Sequence, residues 1–150
     1  MKVVDLFCGC GGLSLGFEKA GMDVVAGFDN WLDALDVYRR NFTHPAIRAD
    51  LSNVEESVEK IRQFGPDMII GGPPCQDFSS AGKRNEDNGR GDLTVCYARI
   101  ISAIKPRWFV MENVERIMKT QKLQDALAVF RAAVAADLVL ALKRLGWMWL

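Results

Sequence analysis

A thiol, a carboxyl group and a glycine-rich turn are the groups in this chain whose type and spacing could do chemistry. Cys75 closes the stretch Gly71-Gly72-Pro73-Pro74-Cys75, which follows Asp67-Met68-Ile69-Ile70. The apolar residues read as a short buried strand. Two glycines let the backbone turn sharply, and two prolines fix φ and stiffen the exit. A thiol delivered there, at the carboxyl end of a strand, stands where a nucleophile would stand; a buried structural cysteine is the plainer alternative. Glu112 follows the apolar run Arg107-Trp108-Phe109-Val110-Met111 and precedes Asn113-Val114. A carboxyl group so placed is expected to be part-buried and to hold a proton near neutral pH. An acid at a helix N-terminus is the alternative.

The glycine-rich turn is Cys8-Gly9-Cys10-Gly11-Gly12, between an apolar strand over residues 2–7 and a helix carrying Leu13, Gly16, Phe17 and Ala20 up to Gly21. Strand, glycine loop and helix together bring backbone amides close to a ligand. A dinucleotide fingerprint would need a glycine where Ser14 stands, so a smaller nucleoside-bearing cofactor suits the loop better. Asp29, at the tip of a second strand over residues 23–28, could hold ribose hydroxyls or cap the helix that follows. Asp50 ends a weaker third strand.

The elements that must position these groups alternate strand and helix. Helices are predicted from Trp31 to Phe42, from Ser52 (cap, with Glu55 as its matching carboxylate) to before Gly65-Pro66, and from Leu93 to Lys105. The apolar stripe Leu127, Phe130, Val134, Leu138 and Leu142 continues as one long helix or two, and Trp147-Met148-Trp149-Leu150 begins a sixth strand. Repeated strand–helix units imply a parallel sheet with helices on both faces, whose ligands collect at the carboxyl ends of the strands. All the marked residues fall at that edge. Residues 76–92 form a long polar loop, read as a lid or binding loop, with disorder as the alternative. His44, beside Pro45, reads as ordinary surface.

Composition bounds the function classes. The chain has 150 residues, 49% hydrophobic and 25% charged, which fits one compact domain. Lys+Arg and Asp+Glu balance at 19 each, so no global basic field announces nucleic acid, although Lys83, Arg84 and Arg90 make the long loop locally basic. The four cysteines include no CxxC pair, and no metal site is expected. Without a signal peptide or an apolar run of membrane length, a cytoplasmic protein is expected.

Asp5-Leu6-Phe7-Cys8-Gly9-Cys10-Gly11-Gly12, Gly71 to Ser79 and Glu112-Asn113-Val114 resemble, in order and spacing, three signature motifs of the DNA cytosine-5 methyltransferases. The resemblance covers essentially the whole chain, but only the first part of the family's pattern. It implies an α/β, Rossmann-like, S-adenosylmethionine-dependent methyltransferase fold, incomplete at the C-terminus. Residues 1–150 would then be the N-terminal portion of a cofactor-binding and catalytic domain. It implies catalytic roles for Cys75, adding to carbon 6 of cytosine, and for Glu112, at ring nitrogen 3 and the amino group. Phe7, Gly9, Cys10, Gly11, Gly12, Asp29, Asn30, Asp50, Leu51, Pro73 and Leu93 would line the cofactor, with S-adenosylhomocysteine as product. Gln76, Ser79, Arg90 and Asn113 would meet DNA or the target base. Asn30 departs from the family, which commonly has an apolar or aromatic residue there.

The family's arginine-rich motif, target-recognition domain and returning C-terminal segment have no counterpart in the chain. A split enzyme with a second subunit, a truncation and a degenerate homologue are all open readings. RNA cytosine methylation and a non-catalytic scaffold subunit are the alternatives in function. Restriction-modification is the expected setting, nucleoid-associated when DNA is bound.

Overall fold

The structure, a computed structural model, describes residues 1–74 and 92–133; Cys75, the loop behind it, and residues 134–150 lie outside the described residues. Among the described residues, five parallel strands form one sheet in the order β3-β2-β1-β4-β5. They are β1 Lys2–Leu6, β2 Asp23–Asp29, β3 Ala46–Arg48, β4 Met68–Gly71 and β5 Trp108–Met111. The helices between them are α1 Gly12–Lys19, α2 Leu32–Asn41, α3 Val54–Arg62 and α4 Leu93–Ile104, and α5 Gln121–Ala133 follows a 3-10 turn over Glu115–Lys119. The chain winds from β1 out to β3, then crosses to β4 on the other side of β1. That reversal opens a crevice at the carboxyl ends of β1 and β4.

Strand alternation assigns the two faces. Val3, Val24, Met68 and Ile70 pack under Leu13, Phe17 and Met22, the α1 side. Val4, Leu6, Ala26, Phe28 and Ile69 face the larger cluster with Val58, Ile61, Tyr97, Ile101, Leu127 and Phe130, contributed by α3, α4 and α5. Helices therefore cover both faces, as the alternating pattern predicts. The third helix is capped one residue later than predicted. Asn53 accepts from Glu56 N–H, while Ser52 donates its hydroxyl to the Asp50 carboxylate at 2.6 Å instead. The competing local bond of Ser52 explains the shift.

β1 also ends one residue early, at Leu6. Phe7 turns into the left-handed region at φ +58°, followed by Gly9 at +53° and Gly11 at +97°. For a residue with a Cβ this is strained backbone, of the kind that clusters at binding sites. At Gly11 a side chain would strike the Phe42 ring.

Asp5 is fully buried near the carboxyl end of β1. Its Oδ2 accepts from Ser14 N–H (3.2 Å) and lies 2.7 Å from Ser14 Oγ, while Oδ1 has no hydrogen-bond partner among the described residues. Burial raises the pKa of this carboxyl from 3.8 to about 7. The fold therefore favours the protonated form. Asp5 contributes stability fully below its ordinary pKa, and that contribution is lost as pH rises toward 7. A shift of this size corresponds to roughly 4 kcal/mol. Asp5→Asn, which keeps the acceptor and removes the titration, should gain on the wild type by up to about 4 kcal/mol between pH 4 and 7. Urea unfolding of both proteins across that range measures it, and a pH-independent difference would contradict it.

Candidate active site

The carboxyl edge of the sheet holds a cavity of about 330 Å³. It is lined by the tips of β1 (Phe7), β2 (Asp29, Asn30, Trp31) and β3 (Ala49, Asp50, Leu51, Ser52), with Pro74 and Leu93 closing it. Six of the residues assigned to a cofactor from the sequence meet here: Phe7, Asp29, Asn30, Asp50, Leu51 and Leu93.

Asp29 fixes the wall between two loops. Its Oδ2 accepts from Gly9 N–H at 2.8 Å and its Oδ1 from Trp31 N–H at 2.9 Å. The latter bond is the local turn that leads into α2, whose N-cap position, Trp31, makes no side-chain cap. Asp29 thus orders the entry to α2 and lines the cavity at once, but it is not the helix N-cap, a position Trp31 holds. Leu93 is set by Asp92, which accepts from Thr94 N–H at 2.8 Å and caps α4. Asp92 also pairs with Lys122 at 3.0 Å, joining α4 to α5.

The other assigned residues, Gly9, Cys10, Gly11, Gly12 and Pro73, are not in the lining of this cavity. Gly9 N–H nevertheless bonds Asp29 on the cavity wall, and Gly12 borders a separate apolar groove with Leu13, Gly16, Phe17, Ala20 and Met22. Pro73 is buried, and the residue facing the cavity is its neighbour Pro74. Asn30 is exposed and accepts from Arg48 Nε at 3.4 Å. Trp31, Ala49 and Ser52 were not anticipated. Trp31 was read as the first helical residue, but it sits in extended backbone just before α2 and is 64% exposed.

The turn that leads to Cys75 is held against the Glu112 loop. Asn113 Nδ2 donates to Pro73 C=O at 2.8 Å, and its Oδ1 accepts from Val114 N–H. Glu112 N–H donates to Gly71 C=O at 2.9 Å. A Cβ built on Gly72 would lie 3.0 Å from Glu112 Oε2, so the carboxyl group stands directly over the Gly-Gly turn. Glu112 is exposed, not part-buried as its apolar flank predicts. The reason is its strand: β5 is the outer strand among the described residues, and Trp108 and Val110 on it are also exposed. Cys75, Gln76, Ser79 and Arg90 lie outside the described residues. Burial pushes the Cys8 thiol far above its usual range and raises Cys96 as well, which makes both poor nucleophiles. No group of three or more metal-ligating side chains occurs among the described residues.

His44 was read as ordinary surface, but its side chain is only 9% exposed. It accepts or donates at Tyr38 Oη, 2.6 Å away. A lone His beside a proline carries no periodic signal that could have announced this.

The sequence profile of the C-5 cytosine-specific DNA methylase family matches residues 1–133. The chain belongs to that family, and its fold is the Rossmann-like methyltransferase fold. It is 58% identical over 130 residues to the type II methyltransferase M.HindV of Haemophilus influenzae, covering 87% of this chain and 43% of that protein. It is 52% identical over 126 residues to the type II methyltransferase M.HgiGI of Herpetosiphon aurantiacus, covering 84% of this chain and all of that sequence. A crystal structure described as a DNA modification methyltransferase encoded within an E. coli prophage superposes with a TM-score of 0.72 at 34% identity, over 88% of this chain and 38% of that one. The chain thus spans less than half the length of M.HindV.

Gly71 should tolerate no side chain. A Cβ there would lie 2.5 Å from the Leu6 carbonyl oxygen and 2.9 Å from the Tyr97 ring. Gly71→Ala should lose about 1–3 kcal/mol of stability, because neither backbone nor buried ring can give way. Chemical denaturation measures this, and a variant of wild-type stability would show that the β1–β4 contact is looser than described.

Proposed function

We propose that this chain is the cofactor-binding and nucleophile-bearing part of an enzyme that methylates carbon 5 of cytosine in DNA, with S-adenosylmethionine as methyl donor. The observation that carries the reading is the meeting of the Glu112–Asn113 loop with the turn before Cys75, at the same sheet edge as the cavity lined by Phe7, Asp29 and Asp50. The lining suits that cofactor. It offers two carboxylates, Asp29 and Asp50, for hydroxyl or amino groups, apolar surface from Phe7, Leu51, Leu93 and Trp31, and, among the described residues, no Lys or Arg for a pyrophosphate. Trp31 supplies aromatic surface where Asn30 does not. The bound cofactor presents an electrophilic methyl group.

In this reading Cys75 adds as thiolate to carbon 6 of the cytosine, which makes carbon 5 nucleophilic. Glu112 bonds ring nitrogen 3 and the amino group and steadies the charge that develops there. Once carbon 5 has taken the methyl group that the bound cofactor would supply, leaving S-adenosylhomocysteine, loss of the carbon 5 proton to solvent water would break the C6–S bond by elimination and release the Cys75 thiolate. Asn113 positions the turn through Pro73, and Gln76, Ser79 and Arg90 contact the DNA. The base must leave the helix, at a cost of a few kcal/mol. Restriction-modification, in the cytoplasm and on the nucleoid, is the setting of this reading, supported by relatives named type II methyltransferases. Target recognition requires further sequence, on a second subunit or a longer chain, and the isolated chain should bind cofactor weakly and methylate little.

In the complete enzyme, Cys75→Ala should abolish methyl transfer and adduct formation with 5-fluorocytosine DNA while cofactor binding persists; normal turnover would refute the nucleophile. Substrate competition against transfer RNA separates DNA from RNA as target. Asp29→Ala should weaken S-adenosylmethionine binding roughly tenfold to a hundredfold, the worth of a charged hydrogen bond. Calorimetry reads this, and unchanged affinity would remove Asp29 from the site.

A further inference from the structure

A line of hydrogen-bonded side chains runs from the buried strand β1 to the surface, outside the chemistry assigned above. Ser14 Oγ lies 2.7 Å from Asp5 Oδ2 and 2.6 Å from Tyr38 Oη. Tyr38 Oη lies 2.6 Å from His44 Nε2, and His44 Nδ1 lies 3.2 Å from Glu18 Oε1. Asp5, Ser14 and Tyr38 are all fully buried. Tyr38 also packs against Gly11 of the glycine loop, so the line passes directly beneath that loop.

We propose that Asp5, Ser14, Tyr38 and His44 form a proton-ordered relay that carries the charge state of the carboxyl group beneath the cofactor loop out to the tautomer of the chain's one imidazole, with Ser14 and Tyr38 as positioning residues of the loop. Each hydroxyl has a single proton to donate, so the bonds must all point the same way. With Asp5 protonated, Asp5 donates to Ser14, Ser14 to Tyr38, Tyr38 to His44 Nε2, and His44 Nδ1–H to Glu18. With Asp5 ionised, every bond reverses. Ser14 donates to Asp5, Tyr38 to Ser14, and His44 donates from Nε2–H to Tyr38. Each proton moves across one bond, and the Nδ1 proton is the one released to solvent. Glu18, whose side chain is 37% exposed, then turns its carboxylate to water.

The charges around the relay allow this order. Asp5 faces Ser14 and Tyr38, with Asp29, Cys8 and Tyr97 near it. His44 faces Tyr38, Glu18 and Asp23. Burial lowers His44 below its usual value, which leaves it neutral near pH 7, while Asp5 titrates at about 7. The reversal should therefore occur near neutrality as a tautomer change, not as gain of charge on the ring. A cation held in the cavity beyond Phe7 would favour ionised Asp5. On the cofactor reading proposed above, affinity for the sulfonium-bearing S-adenosylmethionine should then fall below pH 7, by up to about tenfold per pH unit for one proton.

The single histidine makes the test specific. In nitrogen NMR of the labelled chain without cofactor, His44 should carry its proton on Nδ1 below pH 7 and on Nε2 above it. Tyr38→Phe, which removes one hydroxyl, should leave Nδ1–H throughout. A single tautomer from pH 6 to 8 in the wild type, or an unchanged switch in Tyr38→Phe, overturns the relay. Calorimetry with S-adenosylmethionine over the same range reads the coupling. An affinity that does not vary with pH refutes the coupling, and binding at no pH refutes the cofactor reading, while the imidazole titration judges the relay by itself.

Discussion

Asp29 accepts one hydrogen bond from Gly9 N–H and another from Trp31 N–H, and the geometry of the candidate site follows from that pair. The chain leaves β1 through a left-handed Phe7 and two left-handed glycines, a conformation no regular ladder would hold. The carboxylate at the tip of the adjacent strand ties it down. Parallel pairing of β1 with β2 sets Leu6 opposite Phe28, which brings Asp29 level with the turn. The same bonds fix the start of α2, so one side chain sets the glycine loop, the cavity wall and the placement of Trp31 together.

On the other side of β1, the β4 turn is fixed from β5. Gly71 fits because its Cα lies against the Leu6 carbonyl, and the Gly72–Pro73 backbone is bonded and packed by Glu112 and Asn113. The two halves of the site thus rest on opposite neighbours of the central strand. This is the arrangement a switch point provides: one loop set can bind a cofactor while the other presents a reactive group.

Much of this was legible in the sequence because it is written in local patterns. Alternating apolar runs and helical stripes marked the strands and helices, and the tips of strands in such a sheet are where ligands go. Asp29 and Asp50 were found that way, while Leu51 and Leu93 came from the family resemblance. What was not legible depends on pairing across the fold. Asp5 sits in an apolar strand with nothing in its neighbours to say that Ser14 would reach it. Tyr38 looked like one more inward helical residue, and His44 like surface, because their meeting depends on how α2 returns toward β3. The cap of α3 moved from Ser52 to Asn53 because Asp50 competes for the Ser52 hydroxyl, a contest that spacing alone does not decide.

Glu112 shows how burial is a property of the assembly, not of the flanking residues. An apolar run before a carboxylate suggests a buried environment, yet here Trp108 and Val110 on the same strand are exposed at 54% and 38%. Phe109 and Met111, pointing the other way, pack into the main core. The strand is therefore covered on one face only among the described residues, and Glu112 shares the open side's access to water. Steadying charge on a cytosine ring needs the opposite, since a hydrogen bond to developing charge is worth far more where water is excluded. The chemistry proposed for this edge thus requires that DNA, or protein brought with it, close over Glu112 at the moment of reaction. The Asn113–Pro73 bond lets the carboxyl group wait in position over the turn until that cover arrives.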